Sequence, residues 1–268
     1  MPIIQKNFNL KDKIALVTGG ASGIGKAIAL ELALEGATVV ITSRSDEKLK
    51  DALTDLNKIN VKCVGFKSQL TEANAPSKLV DSVIEQFGAI DIVVNNVGAT
   101  LGILDPLCPL DDWYDLFRLI LGVAIEINNK AIPVMKKNKW GRIVNITAGA
   151  SMENSGPVPY SSLKAAYTAY SRSMARVLAL EKTGIVMSAV LPGVVVTEDG
   201  HWTPNNANSE HAEKYLKERT VLGRFGQPDE ISPIVALLCS EKASFCIGSV
   251  IPVEGGQARH YFQKVDDN

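Results

Sequence analysis

The sequence predicts an α/β fold: a single doubly wound parallel sheet of about seven strands, flanked by helices on both faces. Three observations carry this expectation. Short, continuous apolar runs rich in β-branched residues alternate with longer helical stretches along the chain. Strands apolar throughout, rather than at every second residue, belong to parallel sheets covered on both faces. The length, 268 residues, suits one large domain spanning residues 1–268 and leaves little room for a second. Right-handed crossovers then wind the helices onto the sheet, and such sheets bind ligands beyond the carboxyl ends of their strands.

The elements follow in order. Residues 14–18 read as a buried strand and 23–34 as a helix, with Gly36 just past its end. Strands are expected at 38–42 and 61–66, a helix at 75–87 stopped by Gly88, and another strand at 90–95. Residues 113–137 read as one long helix that Pro133 should kink or break in its last turn. Strands at 141–146 and 185–191 bracket a helix at 160–181. A helix at 229–240 and a short strand at 249–253 complete the pattern. Residues 196–223 stand apart: polar and aromatic, with a weak helical segment near 210–217. A connection of that length usually forms a lid or binding loop.

Composition narrows the function. The formal net charge is −1, with acids and bases mixed along the chain. That gives no electrostatic footprint for nucleic acid or a membrane surface. The four cysteines, Cys63, Cys108, Cys239 and Cys246, show no CxxC spacing, and histidine is scarce. No metal site or disulfide framework is expected. Residues 1–13 lack the apolar core of a signal peptide, and no run is apolar enough to span a bilayer. A soluble, cytoplasmic protein acting on a small molecule is expected.

The first strand runs into Thr18-Gly19-Gly20-Ala21-Ser22-Gly23-Ile24-Gly25. Glycines permit the tight turn and let backbone approach a pyrophosphate, while the following helix points its free N–H groups at the phosphate. The spacing is GxxxGxG. With Tyr160-Ser161-Ser162-Leu163-Lys164 it resembles the short-chain dehydrogenase/reductase family, and within it the 3-oxoacyl-carrier-protein reductases. The resemblance covers nearly the whole chain. Asn95-Asn96-Val97-Gly98 is similar to the family's segment after the fourth strand, and Pro192-Gly193 with Thr197 to its nicotinamide-contacting segment. Arg224-Phe225-Gly226-Gln227-Pro228 and Glu254-Gly255-Gly256 match its C-terminal pattern.

The resemblance implies a Rossmann-type fold and a nicotinamide cofactor. It implies cofactor contacts from Gly19, Ala21, Ser22, Gly23, Ile24, Gly25, Ser43, Arg44, Gln69, Leu70, Asn96, Val97, Gly98, Tyr160, Lys164, Pro192, Gly193, Val195 and Thr197. A carboxylate ending the second strand would bind the ribose 2′-OH and select NAD. Here the strand ends Thr42-Ser43-Arg44. Arg44 can face a 2′-phosphate with a charge-assisted fork and Ser43 can add a hydroxyl. NADP(H) is therefore expected over NAD(H). Gln69 stands where the family commonly has a carboxylate.

Tyr160 and Lys164 are four residues apart and share one helix face. In the family reading Tyr160 exchanges a proton with the substrate oxygen, and the Lys164 ammonium lowers its pKa from about 10. The family also places a serine after the fifth strand. Counting from the strand gives Ala148; counting back from Tyr160 gives Thr147. Thr147 is the first candidate and Ser151 the second. The family's helix asparagine, which bends the fourth long helix and anchors a relay water, falls on Ile120.

The expected activity is NADP(H)-dependent interconversion of a carbonyl and a secondary alcohol. An acyl thioester on an acidic carrier is one substrate option, with Lys136, Lys137 and Lys139 as basic residues near the site mouth. A small polar or polyol substrate is the other, with His201, Trp202, Asn205 and Asn206 in the lid. The alternative is a cofactor-binding homologue of altered catalysis, a sensor or scaffold, motivated by Ile120 and Ala148. The resemblance implies a homotetramer or homodimer paired through the helices at 113–137 and 160–181.

Overall fold

A computed structural model describes residues 8–59, 62–153 and 155–257. Seven parallel strands form one sheet: β1 (Ile14–Val17), β2 (Thr38–Ser43), β3 (Cys63–Lys67), β4 (Ile92–Asn95), β5 (Gly141–Ile146), β6 (Ile185–Pro192) and β7 (Val250–Val253). Their order is β3-β2-β1-β4-β5-β6-β7. The order reverses direction between β1 and β4, so a crevice opens beyond their carboxyl ends. Strand ends differ by a residue or two from expectation, and Val61 lies outside the described residues.

The alternation of side chains divides the strands between two cores. Val17, Val39, Ile41 and Val94 face one helical layer: α1 (Gly23–Leu34), α2 (Asp46–Asn57) and α8 (Pro228–Leu238). Leu16, Val40, Val93 and Ile143 face the other: α3 (Ala75–Phe87), α5 (Val123–Asn138) and α6 (Val158–Leu180). Both faces are covered, which is why most strand positions are apolar and the exceptions, such as Asn95, Arg142 and Asn145, are buried.

Local signals account for the helix ends. Gly88, at φ 73°, closes α3 in the left-handed conformation. Gln227 and Glu230 form a reciprocal capping box at α8, with Pro228 in the first turn. α2 carries no element in the sequence expectation, yet Ser45 caps it and Asp46 and Glu47 sit in its first turn, where they suit the helix dipole.

The long helix expected at 113–137 is divided. α4 (Leu110–Phe117) passes through one π-helical turn, Arg118–Gly122, before α5 begins. Pro133 does not break α5, which continues to Asn138. A proline removes only one helical bond, and the neighbouring Ile132 and Met135 are anchored in the core. The 196–223 segment contains α7 (Glu210–Arg219). No helix among the described residues is long and apolar enough to cross a membrane.

Candidate active site

The carboxyl ends of β1, β2, β4, β5 and β6 open onto one cavity of about 1070 Å³. Ligand clefts commonly measure about 300–1,000 Å³, so the space suits a large ligand. The glycine turn forms one wall. Gly19 and Gly23 have φ of +63° and +51°, and a Cβ on Gly25 would stand 2.2 Å from the Gly19 carbonyl oxygen. The tight crossing of Gly19 over α1 is thus possible only without a side chain at Gly25. Ser22 leads into α1 without capping it by its side chain, so the helix N-terminus stays open toward the cavity.

Thr18 joins that turn to the segment after β4. Its hydroxyl accepts from the Asn96 amide at 2.9 Å, while the Asn96 side chain donates to the Thr18 carbonyl at 3.0 Å. Across the sheet, Gly19 N donates to Thr42 Oγ1 at 3.1 Å. These bonds tie the two walls together.

Tyr160 and Lys164 project from α6 into the same cavity. Lys164 is 2 % exposed and donates to the Ile146 carbonyl at 3.0 Å. Its nitrogen lies 5.7 Å from the Tyr160 ring centre. Burial pushes the Tyr160 phenol up to about 12 and the Lys164 ammonium down to about 7. Desolvation disfavours both charged forms, and burial is what raises Tyr160.

Most of the expected residues meet at this cavity: Gly19, Ala21, Ser22, Gly23, Ile24, Gly25, Ser43, Arg44, Gln69, Leu70, Asn96, Val97, Gly98, Thr147, Tyr160, Lys164, Pro192, Gly193 and Thr197. Four do not. Val195 is a buried residue bridged to Gly226. Ser151 lies in a short turn, and its hydroxyl accepts from Thr168 at 3.1 Å. Trp202 is 6 % exposed and serves as the core of the 196–223 segment, packed on Phe225, Tyr215 and His211. His201 meets the Trp202 edge, with ring centres 5.0 Å apart, and is itself exposed.

Ala148 does line the cavity beside Thr147. The Thr147 hydroxyl donates to the Val190 carbonyl at 3.4 Å, a long and weak bond. Ile120, in the π-helical turn, is 1 % exposed and packs with Leu116, Leu121, Ala124 and Tyr167. The turn therefore forms without an asparagine. Behind the site runs a buried polar chain. Asn95 donates to Asn128 and Asn145, Tyr167 donates to Asn145, and Asn145 donates to Ser171, at 2.9–3.0 Å.

Lys136, Lys137 and Lys139 lie at the end of α5, just before β5 begins. In a parallel sheet that is the amino edge, opposite the cavity, so they cannot meet a carrier at the site mouth. Among the lining residues that sequence reading missed are Arg118, Lys48 and Asp199. Arg118 donates to the Thr71, Leu70 and Glu72 carbonyls at 2.8–3.3 Å, holding the loop after β3. Lys48 and Asp199 form an ion pair across the mouth. Their sequence separation left no local signal.

Fold and site together define a dinucleotide-binding oxidoreductase: a phosphate-ready turn, a tyrosine and a lysine share one cleft at the switch point of a parallel sheet. The family described as enoyl-(acyl carrier protein) reductase matches residues 19–258. The 3-oxoacyl-[acyl-carrier-protein] reductase FabG of Aquifex aeolicus is 36 % identical over 251 residues, covering 93 % of this chain and 98 % of that protein. L-sorbose reductase from Gluconobacter frateurii, solved with NADPH and L-sorbose, superposes with a TM-score of 0.86 at 25 % identity, over 95 % of this chain and 100 % of that one. A 7α-hydroxysteroid dehydrogenase solved with NADH superposes with a TM-score of 0.85 at 28 % identity, over 96 % and 98 %. The chain belongs to the short-chain dehydrogenase/reductase family and is an NAD(P)-dependent oxidoreductase.

Proposed function

We propose that this protein is an NADP(H)-dependent carbonyl reductase or secondary-alcohol dehydrogenase, with Tyr160 as the proton donor and acceptor. The observation that carries the reading is the meeting of Tyr160, Lys164 and the glycine turn in one cavity. The residues fit a dinucleotide. The open α1 N-terminus and the backbone of 19–25 suit its pyrophosphate, Ser43 and Arg44 suit a 2′-phosphate, and Gln69 and Leu70 flank the adenine side. When bound, the nicotinamide supplies a hydride to the substrate carbon or takes one from it.

The chain's own groups do the rest. Lys164 holds the cofactor ribose and places positive charge beside Tyr160. Tyr160 gives its proton to the carbonyl oxygen in reduction and takes it back in oxidation. Thr147 supplies the hydroxyl that steadies that oxygen, since its bond to Val190 is weak enough to exchange and Ala148 has none to offer. Pro192, Gly193 and Thr197 bound the nicotinamide end.

The FabG relatives favour an acyl thioester substrate and the sorbose reductase a polyol. The position of Lys136, Lys137 and Lys139 removes one argument for the carrier. We place the enzyme in the cytoplasm as a homotetramer or homodimer, with 196–223 as the substrate lid. The exposed Leu110, Tyr114 and Phe117 on α4 support an interface on that face.

A panel of carbonyls and alcohols followed at the NADPH absorbance tests the activity. Turnover with at least one substrate that vanishes in Tyr160→Phe is expected. Undiminished turnover in that variant, or cofactor binding with no turnover across the panel, overturns the assignment and favours a sensor or scaffold.

A further inference from the structure

Lys48 and Asp199 are 151 residues apart in sequence, yet their side chains are hydrogen-bonded at the cavity mouth. Lys48 stands in the first turn of α2. Asp199 stands at the root of the 196–223 segment, on a short turn closed by Thr197 N donating to the Trp202 carbonyl at 2.9 Å. That turn is fixed on the glycine loop: a Cβ on Gly23 would meet Thr197 Cγ2 at 3.1 Å. Asp199 is therefore held directly over the phosphate-binding wall.

The groups around Asp199 are those an anion needs. Its carboxyl is held below the usual value first by the hydrogen bond from Lys48, then by the Ser22 hydroxyl and the charges of Lys48 and Arg44. Ser22, Arg44 and Lys48 all line the same cavity. An ammonium, a hydroxyl and a guanidinium gathered at one point also suit a phosphate monoester. Such a group carries about −1.5 to −2 charges at pH 7, against one for Asp199. The Lys48–Asp199 pair is half-exposed on both sides, 43 % and 46 %, and an exposed pair of this kind is weak enough to be displaced.

We propose that Asp199 is an internal competitor for the cofactor's 2′-phosphate, and that Lys48 is a specificity-determining residue beside Arg44. The two anions take turns on Lys48 and Ser22. NADP(H) releases Asp199 from α2 and loosens the root of the 196–223 segment. NAD(H), which has no 2′-phosphate, leaves the contact closed. This rests on the NADP(H) reading above.

Equilibrium binding of NADPH and of NADH to the full chain, followed by nicotinamide fluorescence, tests it in wild type, Asp199→Asn and Lys48→Met. Asp199→Asn should tighten NADPH by about two- to fivefold and change NADH by less. Lys48→Met should weaken NADPH several-fold and leave NADH nearly unchanged. Limited proteolysis within 196–223 should quicken when NADPH, but not NADH, is added to wild type, and should be fast in Asp199→Asn without cofactor. Unchanged or weaker NADPH binding in Asp199→Asn overturns the competitor role. Equal losses of both cofactors in Lys48→Met overturn the specificity role. The NADP(H) reading is judged separately, on wild type alone: equal affinity for both cofactors there removes it and the proposal with it.

Discussion

A Cβ on Gly98 would stand 2.9 Å from Lys164 Nζ, so the ammonium head rests in the space that the glycine leaves. That nitrogen is also bonded to the Ile146 carbonyl, at the end of β5. The lysine is thus fixed between the end of β5 and the segment following β4, and its position is set by backbone on both sides.

Gly98→Ala should push the Lys164 head off this position. A displacement near 1 Å in a catalytic group costs about 10²-fold in rate, so we expect kcat to fall about 10- to 100-fold while the fold persists. Steady-state kinetics beside a thermal melt checks this. Wild-type kcat in Gly98→Ala would show that the lysine accommodates the methyl group.

The pH profile follows from the same pair. Lys164 is held down to about 7 and Tyr160 up to about 12. Below pH 7 the lysine is an ammonium and favours the phenolate left when Tyr160 gives its proton away. Above that value the charge is lost, while Tyr160 stays protonated. Carbonyl reduction should therefore be fastest below about pH 7 and decline above it. Lys164→Met should give a low, flat profile across the same range. A wild-type rate that rises through pH 7 contradicts the assignment.

Ile120→Asn places an amide in an apolar cluster. A buried polar group without partners costs about 1–3 kcal/mol, so the melting midpoint should fall. The π-helical turn is present without an asparagine, so we expect no gain in turnover. A tenfold gain would show that the missing amide limits proton delivery.

Asn145→Ala removes the acceptor of the Tyr167 hydroxyl, which is fully buried. Leaving that donor unpaired should cost about 1–3 kcal/mol in denaturant unfolding, with the slope m unchanged. Adding Tyr167→Phe, which deletes the stranded hydroxyl, should recover part of the loss.

Trp202→Ala should open the 196–223 segment locally, because the indole is its shared packing centre. Proteolysis there should accelerate while the global melt shifts little. A cooperative loss of the whole fold would show that the segment is integral to the main core.

The sheet was legible because burial on both faces favours near-continuous apolar runs, as at residues 92–94 and 185–187. The glycine turn and the Tyr160/Lys164 pair were legible because their spacing is local. α2 was not: its buried face is only Leu49, Ala52 and Leu56 within a charged background. The π-helical turn was hidden because Leu116, Ile120 and Ala124 keep an ordinary helical stripe across it. Trp202 read as a ligand-facing aromatic because sequence does not show which face of a loop a side chain packs on. Lys136, Lys137 and Lys139 read as mouth residues because a charge run does not say at which sheet edge its helix ends. Asp199 meets Lys48 only through the tertiary fold.

The crowding at Gly25 has a practical side. A residue whose Cβ would stand 2.2 Å from a backbone carbonyl cannot be varied without rebuilding the first turn of the molecule. Ser43, Arg44 and Lys48 lie at the rim, where side chains change without disturbing either core. On the proposed cofactor reading, coenzyme preference and foldability are separate dials for an engineer: the first turns at positions 43–48, and the second is locked at position 25.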